Sequence, residues 1–223
     1  ETLRMSKDAT NLWKAALNTS RNSPAPLSFF DGTIHMGPIV VMRGTQAAID
    51  YYNVLLKELV QNLGENRGFV KEESCRMFWD GMPIWGKLRA MSDLFVQNNA
   101  AVVASTYCNS WVFDDFDEKD PFMSSAKAYT SIFINRGEKT KMKLLHQMAT
   151  DFRVDGMIFH DAKTCFNNSN TRFGLPQRFY REYGIPTLVV EGDLCDLRFY
   201  SEGQTTTKIE TFIEQLVTRK VEV

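Results

Sequence analysis

Short apolar segments that alternate with helical patterns constrain the fold of this chain more than any other feature. Residues 75–81, 100–106, 156–160 and 186–193 each contain a short apolar run. Because these runs are too short for buried helices and are separated by helix-like segments, they predict parallel strands that are covered on both faces. The sequence therefore predicts an α/β fold, with a parallel sheet flanked by helices in the flavodoxin-like or Rossmann-like manner.

Apolar residues at helical spacing predict the helices between and around these strands. The glycine-punctuated segment 29–45 is predicted to be a buried loop instead. Residues 1–66 are interpreted as a helical and loop segment that links to a missing N-terminal domain, and residues 67–223 as the α/β domain. The predicted helices cover residues 3–17, 46–63, 84–98, 124–135, 138–152 and 175–184, and a last helix that begins with a capping box from Ser201 to Gln204.

The composition is that of an ordinary globular protein, and it narrows the range of partners. The 223 residues are 43% hydrophobic and 24% charged, with a formal net charge of -1. This balance gives no support for binding nucleic acid or a membrane surface through bulk charge. No apolar run approaches the roughly 20 residues that span a bilayer. We therefore expect no nucleic-acid or membrane partner and, without a secretory segment, a cytoplasmic protein with reduced cysteines.

Standard catalytic signatures are missing from the sequence. It contains no P-loop, no GxGxxG after the first strand, no GxSxG and no HExxH. The chain is therefore not expected to hydrolyse ATP itself or to bind a dinucleotide in the standard way. None of its four cysteines forms a CxxC pair, so a self-contained zinc site is not expected either. Since the chain begins at Glu1 within a helix-like pattern, we interpret it as a piece of a longer polypeptide.

Polar, aromatic and sulfur side chains collect where the four predicted strands end. In open parallel sheets, ligands bind outside the carboxyl ends of the strands. The strands are followed in turn by "DGMPIWG", "STYCNSW", "HDAKTCFNNSN" and "EGDLCDLRFYS". This convergence predicts that the carboxyl edge of the sheet is a functional site.

The cysteines differ in how well their positions suit a ligand. A lone cysteine is more often a small buried apolar residue than a ligand. Cys75 starts its strand, at the opposite edge of the sheet, and Cys195 is interpreted as a loop residue. Cys108 lies at a strand exit beside polar neighbours, where both interpretations are equally good. Cys165 follows its strand among groups that can donate hydrogen bonds to a thiolate, which favours a functional role.

The histidines and tryptophans carry competing interpretations. His160 is as well suited to satisfy a backbone carbonyl as to shuttle a proton. His35 lies in the glycine-rich segment, where it could face a substrate, and His146 is expected to face solvent. Trp79 and Trp85 are typical core residues, although Trp85 follows a strand exit and could border a flat or acyl ligand.

Several long segments together resemble one enzyme family. They are "WDGMPIWGKLR" (79–89), "VVASTYCNSWVFD" (102–114), "FRVDGMIFHDAKTCFNNSNTRFGLPQR" (152–178) and "GDLCDLRFYSEGQTTTKIETFIEQL" (192–216), preceded by "GPIVVMRGTQAAIDYYNVLLKEL" (37–59). In this order they resemble the C-terminal half of the benzoyl-CoA reductase and 2-hydroxyacyl-CoA dehydratase family. The resemblance covers nearly the whole chain.

The resemblance implies a catalytic subunit that pairs with a sister subunit of the same family in a heterodimer. Each subunit would bind a [4Fe-4S] cluster through three cysteines, with the fourth iron position open to water or to the thioester oxygen. Cys165 corresponds to the last ligand of the family, and Cys108 is a second candidate. The first two ligands would belong to an N-terminal domain that this chain does not contain, and Cys195 stands where a non-ligand is expected.

The resemblance also implies one-electron chemistry on an acyl-CoA substrate. A separate ATP-hydrolysing iron–sulfur activator would supply the electron, and the thioester carbonyl would become a ketyl radical anion. His160 or Tyr107 would deliver protons. Arg172 and Lys163 could pair with CoA phosphates, and solvated surface positions suit them equally well. Trp85 would border the substrate, and the expected donors to cluster sulfurs, thioester or water are Ser105, Tyr107, Asn109, Asn167, Asn168 and Ser169.

Four functions remain open on the sequence alone. The first is a subunit of an ATP-dependent aromatic-ring reductase of the benzoyl-CoA type, which a flat slot lined by Trp85, Tyr107 or Phe166 would favour. The second is a subunit of an (R)-2-hydroxyacyl-CoA dehydratase, a lyase, which a narrow or branched pocket would favour. The third is a non-catalytic scaffold or electron-relay subunit. The fourth is a ligand-binding α/β domain without iron.

Overall fold

A four-stranded parallel sheet forms the centre of the protein. The computed structural model describes residues 1–114, 116–165 and 174–221. The strands are β1 (Cys75–Asp80), β2 (Ala100–Ser105), β3 (Gly156–Ala162) and β4 (Thr187–Gly192), in the spatial order β2-β1-β3-β4. All three pairings are parallel. The predicted α/β fold with a parallel sheet is confirmed, and each predicted strand is present.

Helices cover both faces of the sheet and extend beyond its edge at β2. Along the described residues they are α1 (Thr2–Asn18), α2 (Phe29–His35), α3 (Gly37–Val41), α4 (Gln46–Gly64), α5 (Leu88–Gln97), α6 (Thr106–Asn109), α7 (Pro121–Thr130), α8 (Glu138–Asp151), α9 (Leu175–Tyr183) and α10 (Glu202–Val221). No helix among the described residues is both long enough and apolar enough to cross a bilayer.

Two predicted helices start at other residues than expected, for local reasons. The predicted helix 84–98 begins with a 3-10 turn at Trp85–Lys87 and becomes α-helical at Leu88. The predicted helix 124–135 is instead α7, which starts earlier because Asp120 accepts a hydrogen bond from the amide of Met123 and Pro121 occupies the first turn.

The prediction of a buried loop for residues 29–45 is wrong, because most of this segment is helical. Ser28 caps α2 by accepting a hydrogen bond of 3.0 Å from the amide of Asp31. Pro38 then lies in the first turn of α3, where its missing amide hydrogen costs nothing. Gly32 lies inside α2, where an added Cβ would make an ordinary van der Waals contact of 3.5 Å with Cys108 Sγ. The Ser28 cap and Pro38 therefore outweigh the low helix propensity of glycine.

The core is divided by the sheet into two apolar clusters. On one face, α1, α4, α5 and α10 contribute Trp13, Tyr52, Phe95 and Phe212 to a cluster that includes Trp79 of β1. On the other face, α8 and α9 pack against the opposite side chains of the same strands. The side chains of the N-terminal helices therefore lie in the same cluster as those of the sheet. The boundary between segments 1–66 and 67–223 stays a prediction.

A buried arginine joins several elements at the amino edge of the sheet. Arg76 is 5% exposed, and its guanidinium donates to the carbonyls of Ser20, Asn22 and Phe152. It also forms a 2.7 Å ion pair with Glu73, which is itself buried. The N-terminal segment, the start of β1 and the end of α8 are thereby held to one side chain.

Candidate functional site

The exits of β1 and β2 are joined by a buried hydrogen-bond network. Thr106 Oγ1 donates to Asp80 Oδ1 and accepts from the amide of Gly81, both at 2.9 Å. Gly81 has φ +98°, a conformation that favours glycine. The buried Lys141 of α8 lies close enough to feel Asp80: burial lowers the pKa of this lysine, and the Asp80 carboxylate opposes that shift. Asp80 thus fixes the turn that leaves β1.

That turn crosses the end of β3 and reaches the exit of β4. The carbonyl of Met82 accepts hydrogen bonds from Trp79 Nε1 at 3.0 Å and from His160 Nδ1 at 2.7 Å. Beyond it, the amide of Trp85 donates to the carbonyl of Leu194 at 2.9 Å. Residues 81–87, which leave β1, therefore link its exit to those of the other three strands.

His160 is held at the centre of this arrangement by one of its two ring nitrogens. Since a carbonyl only accepts, Nδ1 carries the proton, and Nε2 is left as a bare acceptor in the neutral ring. His160 is 1% exposed, and Nε2 has no hydrogen-bond partner among the described residues. Burial lowers the pKa of His160, which favours this neutral form. The hydrogen bond to a backbone carbonyl is the purely structural role that the sequence allowed for His160. Its role in proton delivery stays a prediction.

Trp85 and Tyr107 come together from two different strand exits. Burial raises the pKa of Tyr107, and the nearby Trp85 side chain opposes this shift. Trp85 is 37% exposed, whereas Trp79 is buried and stacks on Phe29 with ring centroids 5.4 Å apart. Trp79 is therefore a core residue, and Trp85 presents an aromatic face at the carboxyl edge.

Ser105 and Asn109 are largely engaged by local backbone. Ser105 caps α6 by accepting from the amide of Cys108 at 3.1 Å, and Asn109 Nδ2 donates to the carbonyl of Ser105 at 2.9 Å. Asn109 also lines a cavity of about 260 Å³ between α6, α7 and α8. The structure thus places both residues at the edge predicted for the site, where they shape the exit of β2.

Cys108 points into the interior. Its thiol is buried, lies 3.9 Å from Thr33 Oγ1, and packs against Gly32 of α2. Burial raises the pKa of Cys108 to about 11, which keeps the thiol protonated. These are the surroundings of a packed thiol and not of an accessible thiolate.

Cys165 lies on the loop that leaves β3, and a buried carboxylate fixes this loop. The neighbouring Thr164 donates to Asp193 Oδ2 through its amide at 2.8 Å and through its hydroxyl at 2.6 Å. Asp193 Oδ1 accepts from the amides of Cys195 and Asp196 at 3.4 Å. Burial opposes ionisation of Asp193, but these hydrogen bonds outweigh it and lower its pKa to about 2. The half-buried Cys165 is therefore held next to the exit of β4.

Sequence reasoning missed Asp193 and Thr164. Both stand in the quoted strand-exit segments, but neither residue type distinguishes an internal support from a surface polar group. The only signal was position: Thr164 directly precedes Cys165, and Asp193 directly follows β4.

The remaining predicted residues are scattered. Lys163 forms ion pairs with Asp161 at 2.7 Å and Glu191 at 3.1 Å, and the bond to Asp161 raises its pKa. His35 bonds to the Tyr51 hydroxyl at 2.7 Å. Cys75 is buried at the amino edge, as its interpretation as a core residue expected, whereas Cys195 is exposed on the loop after β4. Phe166, Asn167, Asn168, Ser169 and Arg172 lie outside the described residues.

His146 differs from its expected solvent-facing position. Its ring is only partly exposed and stacks on Tyr183 of α9, with ring centroids 4.1 Å apart. The reason is that α8 and α9 pack side by side, which turns this face of α8 toward a neighbouring helix.

The resemblance implies a [4Fe-4S] cluster held by three cysteines, and the described donors meet only part of that need. In the described ranges, no three His, Cys, Asp or Glu side chains lie together as a metal site. Cys165 is half-buried and directly follows Thr164, which the Asp193 carboxylate holds in place. Its position therefore suits one ligand of such a cluster.

The fold and the carboxyl edge of its sheet define an α/β domain with a candidate functional site. Comparison with known proteins places this domain in a family of enzymes. A family model described as 2-hydroxyglutaryl-CoA dehydratase, D-component, matches residues 1–216. The chain belongs to this family, and the resemblance read from its motifs is confirmed.

Named relatives come from both enzyme branches. A benzoyl-CoA reductase subunit of Thauera aromatica is 28% identical over 212 residues, which cover 90% of this chain and 49% of that protein. The (R)-phenyllactyl-CoA dehydratase alpha subunit of Clostridium sporogenes is 26% identical, covering 99% and 53%. The alpha subunit of (R)-2-hydroxyglutaryl-CoA dehydratase of Acidaminococcus fermentans is 27% identical, covering 92% and 42%. The chain spans about half the length of these relatives.

Proposed function

We propose that this chain is the C-terminal portion of a subunit of an iron–sulfur enzyme that acts on CoA thioesters, and that its reaction is ATP-dependent aromatic-ring reduction of the benzoyl-CoA type. The observation that carries the proposal is the position of Cys165. In a chain that matches its family along 216 residues, this thiol stands at the carboxyl edge on a loop fixed by Asp193. That edge is where open parallel sheets bind ligands.

A [4Fe-4S] cluster, when bound, would supply one-electron chemistry at a thioester carbonyl. Cys165 would hold one iron, together with cysteines from the rest of the polypeptide. The Thr164–Asp193 contact fixes the loop on which the thiol stands, so that little reorganisation accompanies binding. The contribution of this chain is therefore a preorganised ligand in a partly water-excluded edge.

Other residues of the edge would handle substrate and protons. The exposed face of Trp85, which lies close to Tyr107, offers a flat apolar wall for an aromatic acyl group. Since burial raises the pKa of Tyr107, its phenol stays protonated and can donate a hydrogen bond to a developing oxyanion. His160 is neutral and holds the Met82 turn, and through that turn it positions Trp85.

Two protein partners belong to the proposal. Several relatives carry names of alpha subunits, which supports a sister subunit in the assembly. The sequence has no P-loop, so the ATP would be hydrolysed by a separate activator protein.

A second candidate is a subunit of an (R)-2-hydroxyacyl-CoA dehydratase. The match to the 2-hydroxyglutaryl-CoA dehydratase family model and the dehydratase names among the relatives favour it. The two reactions differ in the acyl group that must fit beside Trp85. A flat ring would stack on its face, whereas an aliphatic hydroxy acid would need a narrower pocket.

One experiment separates these functions. The full-length protein would be produced without oxygen together with its sister subunit and activator, and assayed with benzoyl-CoA and with (R)-2-hydroxyacyl-CoA thioesters. Ring reduction dependent on ATP is the expected result. Dehydration without ring reduction would establish the second candidate, and turnover of neither substrate by an iron-loaded complex would leave a scaffold or electron-relay role.

A further inference from the structure

A long groove lies beside the start of β4, the strand at the open edge of the sheet, where Pro186, Thr187 and Leu188 line it. β4 pairs with β3 and with no other strand among the described residues. The groove has a volume of about 980 Å³ and is bounded by α10 on one side and by Tyr180 of α9 on the other. Its α10 wall runs from Gly203 to Arg219, which is roughly 24 Å at the rise of an α-helix.

Along its open edge the backbone of β4 presents hydrogen-bonding groups that have no partner among the described residues, and the first of them, at Thr187, lies in this groove. The amide of Met157 donates to the carbonyl of Pro186, and the amide of Lys163 donates to that of Gly192. Because alternate residues of a strand face the same neighbour, the even-numbered residues of β4 bond to β3. The peptide groups of Thr187, Val189 and Glu191 therefore point outward. Such a row is a template for an added strand.

The side chains around the groove suit an extended peptide. Its floor is apolar, with Leu188, Phe212 and Leu216, while threonine and glutamine side chains line its rim. Lys208 and Arg219 add two cations, and no acidic residue is among the lining residues that the structure describes. A strand of roughly seven residues would span the wall of α10, and acidic side chains on it would complement these cations.

Topology excludes the simplest source of such a strand. The crossover from β3 to β4 steps outward through α9, which covers one face of the sheet. α10 lies on the opposite face, with Phe212 in the other core cluster. A strand that continued from α10 and lay outside β4 would therefore complete a left-handed crossover, and parallel sheets avoid these in about 98% of cases.

A second copy of the same edge fits poorly. Antiparallel pairing of two β4 strands about a two-fold axis would place both α10 helices on the same side of the joined sheet. Each would bring its own Lys208 and Arg219 to the junction, which sets like charges together. The groove is better matched to a single extended segment that carries no helix of its own.

We propose that the groove between β4 and α10 binds an extended, acidic segment of the partner subunit, which adds a fifth strand beside β4. This inference rests on the proposed heteromeric assembly. It adds to that proposal a contact surface and the chemistry of the segment that docks there.

Hydrogen exchange of the full-length subunit, alone and in complex with the sister subunit, tests the contact directly. The amides of Thr187, Val189 and Glu191 are expected to exchange at least tenfold more slowly in the complex. The amides of Leu188 and Val190, which bond to β3, should be slow in both states. Equal exchange of the outward amides in both states would overturn the proposal, as would protection already present in the isolated subunit, because the groove would then be filled by its own polypeptide.

Three substitutions sharpen this test. Val189→Pro removes an outward donor and leaves the bonds to β3 intact, so it should weaken binding of the sister subunit at least tenfold. Thr211→Trp fills the groove and should do the same. Glu214→Trp places the same bulk on an exposed position of α10 that does not line the groove, and should stay within twofold. Unchanged binding in the first two variants would overturn the proposal.

These experiments distinguish failure of the docking proposal from failure of the proposed function. An active complex whose β4 edge stays exposed overturns only the docking surface. A subunit that self-associates, and that Val189→Pro converts to a monomer, assigns the groove to a second copy instead. A full-length protein that forms no complex with the sister subunit overturns both proposals.

Discussion

The two edges of the same sheet are built on opposite plans. At the amino edge, the Arg76 guanidinium makes four hydrogen bonds to Glu73 and to three backbone carbonyls, and Cys75 is sealed in the core. At the carboxyl edge, His160 Nε2 is buried without a partner among the described residues, and Cys165 is only half-buried. Polar groups at the amino edge stabilise the fold, whereas His160 Nε2 at the carboxyl edge can still accept a hydrogen bond.

The contrast supports the proposed location of the functional site at the carboxyl edge. Burial raises the pKa of Cys75 to about 12, so that thiol stays protonated and inert. Loops leave the strands at the other edge, and there a side chain can be held in place and still reach a ligand. Substitutions that weaken one edge at a time test this contrast.

The largest expected effect is that of Cys165→Ala in the full-length protein. If this thiol binds iron, its removal should abolish nearly all turnover of the assembled enzyme and lower the bound iron. Iron analysis and the absorbance at about 400 nm measure the cluster independently of activity. Cys195→Ala is the control, since that thiol is exposed on the neighbouring loop. A Cys165→Ala protein with full iron content and turnover would remove the basis of the proposed site.

At the amino edge, Arg76→Leu is expected to destabilise the fold by roughly 3–5 kcal/mol, because it leaves the Glu73 carboxylate buried without its cation. Urea unfolding measures this change. Arg178→Leu removes a half-exposed pair with Glu138 and should cost below about 1 kcal/mol. Similar losses in the two variants would contradict the view that the amino edge is a stability element.

The strand pattern predicted the fold well, because the length and the apolar composition of a strand are properties of neighbouring residues. The runs at 100–106 and 156–160 became β2 and β3, and parallel topology then placed their exits together. The same reasoning failed for residues 29–45, where the Ser28 cap and Pro38 start helices despite the glycines. Glycine content is visible in a sequence, but the packing of Phe29 and Phe30 against the distant Trp79 is not.

The candidate site was predictable in its location and less so in its parts. Trp85 and Tyr107 do meet, as members of neighbouring exits should. Ser105 turned out to cap a short helix, a role that depends on the exact residue at which β2 ends. Asp193 escaped notice because its importance lies in burial, and burial follows from the whole fold and not from neighbouring residues.

Gly192→Ala tests how tightly the carboxyl edge is packed, because it adds a single methyl group there. An added Cβ would lie 2.9 Å from Ile84 Cδ1 and 3.0 Å from His160 Nε2, so one of these side chains must shift. We expect a loss of about 1–3 kcal/mol in unfolding free energy. Gly64→Ala, where no atom lies within 4 Å of the added Cβ, should be neutral or slightly stabilising. Equal stability of both variants would show that the carboxyl edge yields more easily than its packing indicates.

The last prediction concerns acid. The pKa of Asp193 is about 2 in the folded protein, below its value of roughly 3.9 in an unfolded chain. A carboxyl group whose folded pKa is depressed contributes stability above the unfolded pKa and loses it as the pH falls through the folded pKa. The hydrogen bonds of Asp193 should therefore weaken between about pH 4 and pH 2. Asp193→Asn keeps one acceptor oxygen but not the charge, so we expect it to cost about 1–2 kcal/mol at neutral pH and to reduce the difference in unfolding free energy between about pH 5 and pH 3. Urea titrations of the iron-free protein at both pH values measure it. If the variant keeps the full pH dependence of the native protein, other carboxyl groups control the acid response, and the tie between the exits of β3 and β4 does not depend on the ionised Asp193.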